Sequence, residues 1–173
     1  MLVLNSHRET ELYLEMKIIK HIPNGITCLN LFSGCLACVA ALNGMYVAVV
    51  LCLAFSAFFD FLDGMSARLL NAYSPMGKEL DSLADMVSFG LVPGLLVYHI
   101  YLSLPMPGWM GGYAMYVPYL AFLIPVFSAL RLAKFNIDER QTSSFIGLPT
   151  PANAIFFVGL SFLMMEYKEA VNV

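Results

Sequence analysis

Five apolar blocks, near residues 24–42, 46–62, 83–104, 115–133 and 152–166, take up most of this 173-residue chain, and each approaches the length that crosses a bilayer. A hydrocarbon core of roughly 30 Å needs about 20 mostly apolar residues per helix. Backbone groups there find no water, so each block must satisfy them within itself. The chain is 60% hydrophobic and 12% charged, with a mean hydropathy of +0.75, outside the usual range for a soluble domain. The expectation is an all-α, polytopic transmembrane helical bundle of about five spans in one domain.

Breaker-rich stretches separate the blocks: PNG at 23–25, LNGM at 42–45, NAYSPMG at 71–77, LPMPGWMGG at 104–112 and GLPTPAN at 147–153. Lysine and arginine collect on the cytoplasmic side of membrane proteins. Arg8, Lys17 and Lys20 precede the first block, Arg68 and Lys78 flank the second connection, and Arg131, Lys134 and Arg140 surround the fourth. The connections after the first and third blocks carry none, and Lys168 alone falls on the other side. The amino terminus is therefore expected in the cytoplasm. Met16 opens a short basic segment, MKIIKHI, which suits a surface-lying amphipathic helix. Met16 is also a candidate start, which would make residues 1–15 a mis-called extension without signal-peptide character.

Several classes of function fall away. A net charge of −3 with no basic cluster argues against nucleic acid as a partner. Cys28, Cys35, Cys38 and Cys52 lie in the first two apolar blocks without zinc spacing and read as packing residues. His7, His21 and His99 show no paired spacing and read as non-catalytic, and Trp109, Tyr113, Tyr116 and Tyr119 read as an interfacial aromatic belt.

The charge that remains is concentrated in DFLDGMSARLLNAYSPMGKELDSLAD, residues 60–85. At about 100° per residue, Asp60, Asp63, Gly64, Ala67 and Arg68 share one helix face. On the next helix Gly77, Asp81, Ala84, Asp85 and Ser88 step by threes and fours into a second stripe. A short turn makes the helices antiparallel neighbours, so the stripes can oppose each other. An aspartate at mid-membrane costs roughly 3 kcal/mol, and four about 10 kcal/mol. The polar ends of the spans relieve part of this, and four carboxylates on facing helices also form a hard-oxygen site suited to Mg²⁺, Mn²⁺ or Ca²⁺. Missing side chains at Gly64, Ala67 and Gly77, with the Arg68 donor fork, suit a metal-bound diphosphate. The bland alternative is close helix packing by small residues with Asp–Arg neutralisation.

Written as a pattern, the stretch is DxxDGxxAR, eight residues, then GxxxDxxxD, and it resembles the signature of the CDP-alcohol phosphatidyltransferase family at every fixed position. IPNGITCLNLFSG at 22–34, DSLADMVSFGLVPG at 81–94, RLAKFN at 131–136 and GLPTPAN at 147–153 are similar to the phosphatidylserine synthase branch. The resemblance implies an integral membrane enzyme that joins CDP-diacylglycerol and L-serine into phosphatidylserine, releases CMP and needs Mg²⁺ or Mn²⁺. It assigns Asp60, Asp63 and Asp81 to metal, Asp85 to metal and to the role of general base, and Gly64, Ala67, Arg68 and Gly77 to the cytidine diphosphate. It further implies a homodimer and an active site on the cytoplasmic side of the cell membrane. Residues 16–173 would form the family domain. The family core usually has six spans against the five counted here, so the chain is read as truncated after MMEYKEAVNV.

Outside the signature, Arg131 and Lys134 are candidates for binding the acceptor carboxylate or a lipid phosphate, with positive-inside anchoring as the plain alternative. Asn30 and Ser33 of the first block are candidates for lining the acceptor site, with small polar residues at helix contacts as the commoner reading, and Lys78 and Glu79 need no chemical role. Two other functions stay open at this point: a family member using glycerol phosphate or inositol phosphate, and a membrane cation transporter with its carboxylates along a permeation path. The absence of visible paired repeats speaks against the transporter.

Overall fold

A computed structural model describes residues 21–104, 108–137 and 149–171, all of them helical or in the turns between helices. The expectations about residues 1–15, the surface helix from Met16 and the basic residues Arg8, Lys17, Lys20 and Arg140 lie outside the described residues.

The chain runs through α1 (Ile22–Leu42), α2 (Tyr46–Leu69) and α3 (Pro75–Asp85), then a π-helical turn at Met86–Leu91 that leads directly into α4 (Val92–Ser103). A 3₁₀-wound segment at Gly108–Phe122, broken at Gly111, precedes α5 (Leu123–Ile137), and α6 (Thr150–Val171) follows. Four stretches are long and apolar enough to cross a membrane by length and composition: Ile22–Leu42, Tyr46–Leu69, Pro75–Ser103 and Gly111–Ile137. Thr150–Glu166 is a shorter apolar helix. The protein is thus an integral membrane helical bundle with four to five apolar spans.

Two boundaries differ from the sequence reading. PNG at 23–25 does not break the chain: Pro23 lies in the first turn of α1, where its missing N–H costs nothing. The third span begins at Pro75 and not near residue 83, because Ser74 caps the helix by accepting a hydrogen bond from the Gly77 N–H at 2.9 Å. The aspartates of the second stripe therefore belong to the same rod as the apolar block behind them.

The turns joining the first three helices are tightly built. Gly44 (φ +67°) ends α1, with Met45 N–H returning to the Ala40 carbonyl at 2.9 Å. Asn71 (φ +48°) ends α2 in the same way, with Ala72 N–H bonded to the Ala67 carbonyl at 3.0 Å. Both are Schellman closures, in which a left-handed residue just past the helix lets the chain satisfy carbonyls of the last turn. Between them these turns fix how α1, α2 and α3 pack.

The core gathers Ala37, Ala40 and Ala41 of α1, Val49 and Leu53 of α2, Phe89 of the π turn and Val92, Leu95 and Leu96 of α4, with Ala154 of α6. Small residues allow close helix approach, and hydroxyls join the helices: Ser33 Oγ donates to the Cys52 carbonyl at 2.8 Å. Large side chains such as Phe32, Phe55, Phe58 and Phe61 point outward, as expected where the surrounding medium is hydrocarbon. Tyr113, Tyr116 and Tyr119 are exposed, in keeping with the aromatic belt. His99 packs edge-on against Tyr46.

Candidate active site

The two stripes meet as their spacing predicts. One oxygen each from Asp60 and Asp63 of α2 and Asp81 of α3 can come within 4.8 Å of one another. Asp63 is only 6% exposed, and Asp60 and Asp81 are half-buried. Asp85, one turn beyond Asp81, faces both Asp60 and Asp81. Asp63 Oδ2, Asp81 Oδ1 and Asp85 Oδ1 are buried without a hydrogen-bond partner. Buried carboxylate oxygens are normally satisfied, and unpartnered ones on neighbouring acids form a candidate site for a shared cation. The donor set is all carboxylate oxygen, which fits a hard divalent ion such as Mg²⁺ or Mn²⁺.

A cavity of about 480 Å³ opens beside the cluster, with Asp63 and Asp81 in its wall. Gly64, Ala67 and Gly77 line it, so three of the four residues expected to contact a diphosphate border one space. Nothing lies within 4 Å of where a Gly64 side chain would begin, so the space there is open. Gly77 is different: a Cβ there would come within 2.9 Å of Asn24 Oδ1. Arg68 is exposed at the last turn of α2 and does not line the cavity.

Arg131 and Lys134 also stand away from this wall. Arg131 Nη1 donates to Thr150 Oγ1 at 2.6 Å and so joins α5 to the start of α6. Lys134 is exposed in the last turn of α5, where a cation suits the helix dipole.

In α1 the sequence reading considered Asn30 and Ser33 but not the residues that line the cavity, Pro23, Asn24 and Thr27; Tyr73, Ser74 and Lys78 line it as well. A signal was available: Asn24, Thr27 and Asn30 recur at threes in an otherwise apolar helix, which places them on one face. Lys78 also reaches across to α5, with Nζ donating to the Asn136 carbonyl at 3.2 Å, and Asn136 Nδ2 donates to Ser82 Oγ at 2.9 Å. These bonds hold the start of the third span against α5.

The comparisons with known proteins agree with the geometry. A family model for CDP-alcohol phosphatidyltransferase matches residues 20–173. A CDP-diacylglycerol–serine O-phosphatidyltransferase of Bacillus subtilis is 40% identical over 83% of this chain and 77% of its own length. Proteins of the same name are 35% identical in Mycobacterium leprae, over 84% of this chain and 48% of the relative, and 36% identical in Methanocaldococcus jannaschii, over 84% and 63%. The chain thus spans about half the length of the mycobacterial relative. No solved structure matches it.

Proposed function

From membership of the CDP-alcohol phosphatidyltransferase family, to which this chain belongs, we propose that it transfers the phosphatidyl group of CDP-diacylglycerol to L-serine and releases CMP. One observation carries the reading: carboxylates from two facing helices converge at the wall of a cavity whose other lining includes the small residues of both stripes.

The residues divide the work as follows. Asp60, Asp63 and Asp81 hold the divalent cation, with Asp85 able to complete the set. When bound, the cation neutralises diphosphate oxygens and the charge that builds on departing CMP. Gly64, Ala67 and Gly77 let the nucleotide diphosphate lie against backbone, and Arg68, at the adjacent helix end, supplies donors to its outer oxygens. Asp85 takes the proton of the serine hydroxyl as its oxygen forms a bond to the phosphatidyl phosphorus. The bond from that phosphorus to the CMP oxygen breaks, and CMP leaves with the electron pair. Arg131 and Lys134 are assigned to the acceptor carboxylate or a lipid phosphate at the mouth.

The lysine and arginine distribution supports five spans with a cytoplasmic amino terminus, which places the cavity on the side where CMP and serine are found. Residues 16–173 form the family domain, and we extend the family's homodimeric assembly to this chain. The deciding experiment is CMP release by the purified protein in lipid, with serine, glycerol 3-phosphate or inositol phosphate as acceptor, with and without Mg²⁺ or Mn²⁺. Release with serine and metal is expected. Release with glycerol 3-phosphate and not with serine would sink the serine assignment, and cation flux without CMP release would sink the enzyme.

A further inference from the structure

Next to the carboxylates lies a buried polar group that the assignments above leave unused. Asn30 of α1, Ser56 of α2 and Ser88 of the π turn are all fully buried. Ser88 Oγ donates to Asn30 Oδ1 at 2.9 Å. Ser56 Oγ lies 3.2 Å from Ser88 Oγ as its donor and 3.1 Å from the Asn30 carbonyl. A carboxamide has an acceptor on one side and donors on the other, so a donor held at Oδ1 settles which way the amide turns.

The Asn30 NH₂ group then points away from Ser88, and Nδ2 has no partner. Its neighbour is Asp85, whose Oδ1 is also buried and without a partner. The observed orientation keeps the amide oxygen on the Ser88 hydroxyl and leaves the donor side for the Asp85 carboxylate, where a turned amide would set oxygen against oxygen. Asp85 and Ser88 are three residues apart, so one turn of the third span carries both the acid and the hydroxyl that aims the acid's partner.

We propose that Asn30 is a positioning residue for Asp85: its amide donor, unpaired in this structure, takes up the neighbouring carboxylate and holds it toward the acceptor hydroxyl when substrate is bound, while Ser88, backed by Ser56, holds the amide. This rests on the reading of Asp85 as general base. An asparagine kept for packing alone would need neither a fixed amide direction nor a facing carboxylate.

The test uses the full chain in lipid nanodiscs, with CMP-release kinetics, calorimetric binding of CDP and thermal unfolding measured on each variant. Asn30→Leu keeps the size of the side chain and removes the donor without adding charge. It should lower kcat about 10- to 100-fold, as loss of an outer partner of a catalytic group does, with CDP affinity and the KM for CDP-diacylglycerol within twofold of the parent. Ser88→Ala, which frees the amide to turn, should lower kcat by a smaller factor. The Asn30→Leu/Asp85→Asn double variant should be no slower than Asp85→Asn alone. A kcat within twofold of the parent for Asn30→Leu or Ser88→Ala, or losses that multiply in the double variant, would overturn the proposal. If Asp85→Asn kept full turnover, the general-base reading itself would fall; if Asp85→Asn were inactive while Asn30→Leu was normal, only the positioning role would.

Discussion

Gly34 of α1 lies so close to Ser88 of the π turn that a methyl group at position 34 would overlap the Ser88 hydroxyl. The Ser88 Cα and Cβ atoms both stand 3.1 Å from that methyl position, so backbone as well as side chain would have to move. Gly34→Ala is therefore expected to destabilise the fold by about 1–3 kcal/mol, the usual cost of overpacking. Thermal unfolding in detergent measures it. Ser88→Ala in the same chain should recover only part of the loss, since the Cα and Cβ contacts remain.

Gly64 gives the opposite expectation. Nothing surrounds its missing side chain, and it sits inside α2. Gly64→Ala should stabilise the helix by up to about 1 kcal/mol. Gly64→Val, projecting into the cavity, should weaken CDP binding at least about tenfold, equivalent to ~1.4 kcal/mol. A rise in unfolding temperature for Gly64→Ala beside a fall in CDP affinity for Gly64→Val would separate the two roles of this position. Unchanged CDP affinity in Gly64→Val would mean that the nucleotide lies elsewhere.

The acids should differ among themselves. Asp60→Asn, Asp63→Asn and Asp81→Asn each remove an oxygen from the converging set, and each should cut both turnover and metal-dependent CDP binding. Asp85→Asn should cut turnover by about 10² or more, the usual worth of a general base, while weakening CDP binding far less than Asp60→Asn. Calorimetry beside CMP release reads both quantities on the same preparation.

Metal removal should act on the fold as well as on the reaction. Without a cation, four carboxylates crowd one buried region, and their mutual repulsion favours opening of the α2–α3 pair. Chelation is expected to abolish CMP release and lower the unfolding temperature, with both restored by Mg²⁺ or Mn²⁺. Asp60→Asn should shrink the thermal shift on chelation, because it removes one of the repelling charges.

The turn between the two stripes can be probed without touching either. Ser74→Ala removes the cap on Gly77 N–H and should cost about 1 kcal/mol. Asn71→Ala puts a Cβ with no local hydrogen-bonding side chain at φ +48° and should cost about 1–2 kcal/mol. Asn71→Gly, free of that strain, should stay close to the parent. Unfolding temperatures of the three variants give the comparison.

Helical spacing made the acid cluster legible, because residues three and four apart must share a face, and a short connection forces two such faces together. Apolar length did the same for the spans. Less legible was whatever depended on a third helix. Pro23, Asn24 and Thr27 of α1 are far in sequence from the aspartates, and nothing local says that α1 lines their cavity. The π turn was also hidden: by α-helical spacing Ser88 continues the stripe of Asp81 and Asp85, whereas the backbone changes its winding from Met86 on. For Arg131 the sequence gives only charge and position, whereas its bond to Thr150 depends on how α6 returns to the bundle.

That change of winding has a consequence for how the third span can vary. The Val92 N–H reaches back five residues to the Val87 carbonyl, so Met86–Leu91 holds one residue more than an α-helix would use for the same advance. The span is thereby two helices out of phase by one residue, about 100° of rotation. One phase sets the aspartates toward α2, and the other sets Val92, Leu95 and Leu96 into the core. Deleting any single residue between 86 and 91 would bring the two halves into step and force a choice between them: either the acids turn away from their partners or the apolar half turns its core face outward. This half-turn thus works as the vernier that lets a chemical end and a packing end share one rod.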